Sequence, residues 1–295
     1  MNFDSIAAYL IEHGCSNITS DLDLQRCHSH PCARGGFSRV HQGVLKNGQL
    51  IAIKCLESLS TSEQANLREQ GKTLKRAARE MYTWSCCKHQ GVLPVLGFAQ
   101  FMGYIALVTP WMEGGSLKQQ ISQRSMQSPL QTCIELAIAV EHLHEKGIVH
   151  GDIKPDNVLM TNQGQPQLAD FGSALLTITR ALNFTRTYTF PFTTRFAAPE
   201  TLKEQGVPPT AESDVYSLGM TMFNIMSGSP PFADKWEPLV IVEVLSKGQP
   251  SRPDFDRSLL SSDAKVKMWD LLQSCFAYEP GDRLKVSQVK DAVST

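Results

Sequence analysis

Residues 148–160 read IVHGDIKPDNVLM, and the polar side chains in that run stand at offsets that suit phosphoryl transfer. Asp152 can orient an attacking hydroxyl and take its proton, Lys154 can face the moving phosphoryl group, and Asn157 can hold a metal ion. Apolar residues flank the run on both sides. An ordinary polar turn can carry the same residues, so the chemistry depends on partner segments in the right order.

Those partners are found on either side. Residues 158–160 and 166–168 read as two short strands around a turn at Gly164, and Asp170-Phe171-Gly172 then supplies a second candidate metal ligand in Asp170. Two oxygen ligands on facing segments, Asn157 and Asp170, are what Mg²⁺ on a nucleotide's phosphates requires. Nearer the N-terminus, Ala33-Arg34-Gly35-Gly36-Phe37-Ser38-Arg39-Val40 sets two glycines and a small serine around an aromatic. Backbone N–H groups in such a turn can approach phosphates, although a Gly-Gly hairpin has the same appearance. Strand-like runs at 40–45 and 50–55 follow, the second carrying Lys54 where a cation can meet phosphates. Residues 63–89 read as a helix with Leu74, Ala77, Ala78, Met81 and Trp84 on one side. Glu80 borders that side and can pair with Lys54; an isolated charge there would be a solvated surface residue.

Residues 92–98 and 104–109 read as two further strands, and 117–121 and 130–144 as helices. The linker Pro110-Trp111-Met112-Glu113-Gly114-Gly115 separates a strand-rich half from a mainly helical one. The expectation is an α+β chain with a five-stranded sheet lobe at 24–112 and a larger helical lobe at 113–295, with a nucleotide cleft near 112–115. In the N-terminal extension, 1–23, Phe3, Ile6, Ala7, Leu10 and Ile11 have the spacing of a short amphipathic helix that stops near Gly14, and 15–25 reads as a polar connector.

A chain of 295 residues can bury a substantial core as one large or two modest domains. Its formal charge of −1, from 28 basic and 29 acidic residues, and the absence of basic runs argue against a nucleic-acid partner. The 8 cysteines lack paired spacing, which fits free thiols in a reducing compartment. Cys27, His28, His30 and Cys32 are close enough to raise zinc, but their spacing does not match a closed structural site, and a short edge strand accounts for them. The start has no basic, apolar signal sequence, Asn2 cannot be myristoylated, and 292–295 is not a prenylation box. A soluble cytoplasmic protein without membrane insertion is expected.

Taken in order, the Gly-rich turn, Ile51-Ala52-Ile53-Lys54, Glu80, His150-Gly151-Asp152, Asp170-Phe171-Gly172 and Ala198-Pro199-Glu200 resemble the motifs of the eukaryotic protein kinases. The resemblance covers about residues 24–291, which leaves no expected room for another domain. The runs Gly35-Gly36-Phe37-Ser38, Trp111-Met112-Glu113-Gly114-Gly115-Ser116-Leu117 and Arg195-Phe196-Ala197-Ala198-Pro199-Glu200 look most like the tyrosine-kinase-like group, in particular its members from mushroom-forming fungi.

The resemblance implies a role for each matching residue. Lys54 would bind the α- and β-phosphates of ATP and pair with Glu80, Asp152 would be the base, Lys154 would assist it, and Asn157 and Asp170 would hold Mg²⁺. Ala33, Gly35, Gly36, Phe37 and Ser38 would form the nucleotide loop, with Val40, Ala52 and Leu159 around the adenine, Thr109 as gatekeeper and Met112 at the hinge. Trp84, Val95, His150 and Phe171 would stack as a spine, Asp214 would anchor the catalytic loop, and Glu200 would pair with Arg283. Lys154-Pro155 and Thr193 resemble the serine/threonine-specific pattern, so protein hydroxyls are the implied acceptors.

Three departures qualify the match. Ala33 and Ser38 replace the first and third glycines of the nucleotide loop, Trp84 is bulky for its spine position, and Gly151 stands where the family has Arg. Without that Arg, a phosphate on Thr185, Thr187, Tyr188 or Thr189 lacks its usual cationic partner, so little dependence on phosphorylation of this segment is expected. The alternatives are a catalytically silent scaffold of the same fold and a small-molecule phosphotransferase, since His-Gly-Asp followed by Asn also occurs in aminoglycoside and choline phosphotransferases.

Overall fold

A computed structural model describes residues 3–12, 14–34, 38–56, 80–176, 194–203, 207–255 and 260–294. The chain forms two compact units. One contains the described residues of Met1–Lys88 and Leu93–Met112, and the other contains His89–Val92 and the described residues from Glu113 onward. The first holds a five-stranded antiparallel sheet and the second is mainly helical, which is the expected α+β class.

Strands β1 (Ala33–Arg34), β2 (Ser38–Val44), β3 (Leu50–Leu56), β4 (Gly97–Phe101) and β5 (Tyr104–Pro110) lie in the order β1-β2-β3-β5-β4. Alternation along β3 divides its side chains. Ile51, Ile53 and Cys55 are buried with Leu45, Ala99, Phe101, Ala106 and Val108, while Ala52 and Lys54 point to the opposite face. The register extends that second face. Val40 pairs with Lys54 and with Ala33, Ser38 with Leu56, and Ala52 with Thr109, so all six named positions other than Leu56 share one side of the sheet.

The fourth strand differs from the expectation of a strand at 92–98: it begins at Gly97. Val92 and Leu93 are buried without joining this sheet, Val92 bridges Leu168 within the helical unit, and the Leu93 carbonyl accepts the Trp84 Nε1–H. Their apolarity reports burial, not strand pairing.

Helix α1 (Phe3–Glu12) is followed by a segment that is more than a connector. Cys15 and Leu22 are buried, Asn17 bridges Phe98, Phe98 N donates to Ser16 O, and Gln100 N donates to Thr19 Oγ1, so residues 16–19 cover the outer edge of β4. A covered edge cannot recruit another chain's strand. Residues 57–79, the first part of the helix read at 63–89, lie outside the described residues; α2 at 80–85 is its described end.

In the second unit, α3 (Leu117–Gln123) starts in a capping box between Ser116 and Gln119, and α4 (Pro129–Glu145) has Pro129 at its first position. Strands β6 (Ile148–Val149) and β9 (Leu175–Leu176) pair, as do β7 (Val158–Met160) and β8 (Pro166–Leu168). Then come α5 (Pro199–Lys203), α6 (Ala211–Ser227), α7 (Glu237–Leu245), α8 (Ser262–Cys275) and α9 (Val286–Val293). Helix α6 is buried on nearly all sides, from Val215 through Met226, as expected of a helix at the centre of its unit. Thr210 caps its start through Ser213 N, and Gly228, at φ +69°, ends it. All eight cysteines are free thiols, and no described helix is long and apolar enough to cross a membrane.

Candidate active site

The sheet unit holds a paired cation. Lys54 Nζ donates to Glu80 Oε1 at 2.7 Å, and the Glu80 side chain is almost wholly buried at 2% exposure. β3 fixes the lysine on the face with Ala33, Ser38, Val40, Ala52 and Thr109, and α2 presents the carboxylate. Among these, Thr109 is buried and Val40 and Ala52 are half-buried. Gly35, Gly36 and Phe37 lie outside the described residues, and so do Thr185, Thr187, Tyr188, Thr189 and Thr193. Met112 is the last described residue of this unit.

In the helical unit, the loop after β6 is held from below. Buried Asp214, in the first turn of α6, accepts from His150 N and Gly151 N, each at 2.8 Å, and lies 3.0 Å from His144 Nε2. His150 is fully buried, with its ring 5.0 Å from that of Phe171. Its two nitrogens have different partners: Nδ1 accepts from Asp152 N at 3.3 Å, and Nε2 lies 3.1 Å from Ala169 O. A neutral ring carrying its proton on Nε2 satisfies both. One imidazole thereby ties the Asp152 segment to the segment before Asp170.

Asp152, Lys154 and Asn157 converge. Lys154 Nζ and Asn157 Nδ2 each donate to Asp152 Oδ2 at 2.8 Å, and Asn157 Nδ2 also donates to Asp152 O at 2.9 Å. These bonds occupy Oδ2, and no described residue donates to Oδ1, which is the atom left to accept a proton. Burial raises the Asp152 carboxyl above its ordinary value despite the 33% exposure its side chain keeps. The Lys154 ammonium and its hydrogen bond oppose that shift, and Asp170 adds to it.

Both Nδ2 protons of Asn157 are committed to Asp152, so its neutral Oδ1 is the atom it can offer a cation. Ala169 N donates to Asn157 O at 2.9 Å, which sets Asp170 on the adjacent segment. Asp170 takes a left-handed conformation at φ +63° and caps the turn Phe171–Ser173 through Gly172 N. A carboxylate and an amide oxygen are hard donors that fit Mg²⁺. Leu159 lies in β7 beside the Gly114–Ser116 segment: Ser116 bridges Leu159, and Met160 N donates to Gly115 O. A Cβ on Gly114 would stand 2.4 Å from Met160 O, so this close approach requires glycine.

Gly151 is equally constrained. At φ +77°, a Cβ here would stand 2.8 Å from Pro209 Cγ and 3.0 Å from Ser173 O. The adjoining cavity beneath Gly151, Asp152 and Ile153 holds only about 30 Å³.

Two contributions escaped the sequence reading. His144, read only as the end of a helix, shares Asp214 with the loop. Arg195 donates to the carbonyls of Pro231 (2.9 Å), Phe232 and Lys235 (2.7 Å) and to Glu237 Oε2 (3.2 Å), joining the turn at Thr194–Phe196 to the chain that enters α7. Their partners lie dozens of residues away, so spacing carries no signal of them. The Cys27–Cys32 stretch lies along β2 instead of folding around an ion: His28 N donates to Gln42 O and Cys32 N to Val40 O. Among the described residues no three His, Cys, Asp or Glu side chains come together to hold a metal.

Comparison with known proteins identifies the family. Residues 30–293 match the model of the protein kinase domain. The probable serine/threonine-protein kinase PknB of Lactococcus lactis is 28% identical over 204 residues, 68% of this chain and 31% of that protein. MAP3K epsilon protein kinase 1 of Arabidopsis thaliana is 27% identical over 270 residues, 89% of this chain and 18% of the relative. The DNA damage-responsive serine/threonine-protein kinase RqkA of Deinococcus radiodurans is 29% identical over 245 residues, 80% of this chain and 34% of its own length. The chain thus spans about a third or less of these relatives. With the match running over nearly all of its length, the chain belongs to the protein kinase domain family.

Proposed function

We propose that this chain transfers the γ-phosphoryl group of ATP to serine or threonine hydroxyls of proteins, with Asp152 as the base. The observation that carries the reading is the division of labour on the Asp152 carboxylate: Oδ2 is held by Lys154 and Asn157, and Oδ1 is left for the acceptor's proton. In the reaction, the acceptor oxygen bonds to the γ-phosphorus, and the bond from that phosphorus to the bridging oxygen breaks with its electron pair staying on ADP. The hydroxyl proton passes to Asp152 Oδ1. Lys154 balances charge beside the transferred group, and Lys54, aimed by Glu80, binds the α- and β-phosphates. Asn157 Oδ1 and the Asp170 carboxylate would hold Mg²⁺, which when bound neutralises charge on the phosphates. Ala33, Ser38, Val40, Ala52, Thr109, Met112 and Leu159 are the proposed nucleotide contacts, together with Gly35, Gly36 and Phe37.

A peptide library presenting Ser, Thr or Tyr tests this reading with labelled ATP. Transfer to Ser and Thr is expected. Preference for Tyr would remove the acceptor assignment, transfer to small alcohols alone would favour the small-molecule reading, and ATP binding without any transfer would favour a scaffold.

The tyrosine-kinase-like grouping, and within it the likeness to mushroom-forming fungi, rests on the motifs quoted for it. A tree of kinase domains that places the chain elsewhere would remove it. Gly151 supports regulation that does not read a phosphate through this loop, since the position offers no cation. Phosphatase treatment is expected to leave the rate unchanged; loss of activity that rephosphorylation of Thr185, Thr187, Tyr188 or Thr189 restores would contradict this.

A further inference from the structure

Beyond the catalytic loop, the helical unit contains a groove of about 540 Å³ between the end of α6, the entry to α7 and residues 250–255. Its volume falls in the range of sites that hold a ligand or a few side chains, roughly 300–1,000 Å³. Phe223, Phe232 and Phe255 line it and are buried, so they form its floor, while Asp234 and Asp254 line it and are exposed at its mouth. Neither aspartate has an ion-pair or hydrogen-bond partner among the described residues. The neighbouring cations among the described residues are committed or stand outside. Lys235 pairs with Glu243 at 3.1 Å, Arg195 is taken up by three carbonyls and Glu237, and Arg252 is not among the lining residues.

Apolar surface continues past the mouth. Two residues after Asp234, Trp236 is 73% exposed, and Leu239 (55%) and Val242 (60%) follow at helical spacing along α7. An apolar floor, two carboxylates without a described partner and an apolar flank together suit an occupant longer than a small cation. We propose that the groove docks an extended polypeptide segment of a partner protein, with an apolar side chain seated on the three phenylalanines and Arg or Lys side chains meeting Asp234 and Asp254. Opposite charge supplies orientation and association rate, and the desolvated aromatic floor supplies affinity. Arg195 keeps the wall in shape, because it gathers the carbonyls of Pro231, Phe232 and Lys235 around one guanidinium.

Binding is measured without nucleotide, so the inference stands apart from phosphoryl transfer. The probes are short fluorescein-labelled peptides that interleave Arg with Leu or Phe, a version with Arg replaced by Glu, and a version with Leu and Phe replaced by Ser. The basic apolar peptide is expected to bind and to weaken with added salt. The double variant Asp234→Asn, Asp254→Asn should weaken it by about tenfold or more, and both altered peptides should lose binding similarly. In the second variant, Asp234→Lys with Asp254→Lys, preference should switch to the Glu peptide. Thermal melting of each variant identifies any that fails to fold. Absence of binding by the basic apolar peptide at low salt would overturn the proposal, as would binding indifferent to both variants. Concentration-dependent self-association abolished by the same substitutions would overturn it in favour of a second copy of this chain.

Discussion

At Asp152, burial and charge pull the same carboxyl in opposite directions. Burial holds its pKa above the ordinary 3.8, and Lys154 at 2.8 Å is the largest influence lowering it. Only the carboxylate can accept the hydroxyl proton, so the rate should fall as pH drops through that raised value. Lys154→Met removes the opposing influence, so the acid limb of the kcat/KM profile should move to higher pH; a limb that stays put would show that Lys154 does not set this pKa. The stability effect has the matching sign. The folded state holds this proton more tightly than the unfolded chain, so ionisation of Asp152 costs stability that is absent at low pH and is fully felt above the raised pKa. Gly151 gives a second prediction at this scale. A left-handed non-glycine residue costs roughly 1–2 kcal/mol before any clash with Pro209, so Gly151→Ala should lower stability by at least that much and reduce kcat. Urea unfolding and steady-state kinetics read both, and a fully stable, fully active variant would show that Pro209 and the loop accommodate the side chain.

At the level of elements, the cover on β4 turns on one glycine. A Cβ on Gly97 would stand 2.3 Å from Ser16 O, so Gly97→Ala must displace residues 16–19 or bend the strand. A loss of about 1–3 kcal/mol is expected, with faster amide exchange at Phe98, whose N–H donates to Ser16 O. Unchanged exchange would show that the cover does not depend on this close approach. The sequence made β2, β3, β5, β7 and β8 legible because alternation and turn residues are local signals. It misled at 92–96, where Val92 and Leu93 are apolar for reasons outside the sheet, and at 15–22, where polar composition hid Cys15 and Leu22 in the core. Within the site, Asp152, Lys154 and Asn157 could be seen together because they fall within six consecutive residues. That Asp214 anchors the loop was expected only through a family likeness, while the roles of Arg195 and His144 were invisible because their partners are distant in the chain.

Across the helical unit as a whole, a largely buried ion pair joins the middle of the unit to its end. Arg283, whose side chain is fully buried, makes two bonds of 2.7 Å to Glu200 and donates to Ala277 O, Glu212 O and Tyr278 O. It thereby ties α5, the first turn of α6 and the turn before α9. Arg283→Met leaves a carboxylate and three carbonyls without their donor, and a loss of about 3–5 kcal/mol is expected. Against a total stability of about 5–15 kcal/mol that is a large share of the margin. Double substitution of Glu200 and Arg283 by apolar residues should recover part of the loss in urea titration, and no recovery would place the cost in the carbonyls instead of the pair. The same unit carries Asp152, on whose carboxylate the proposed phosphoryl transfer depends. The direct measurement is phosphate transfer from γ-labelled ATP to a serine peptide by the wild type and by Asp152→Asn, with nucleotide affinity determined on the same samples. A fall of roughly 10²–10⁴ in transfer rate with nucleotide affinity retained is predicted; transfer at the wild-type rate by Asp152→Asn would contradict Asp152 as the base.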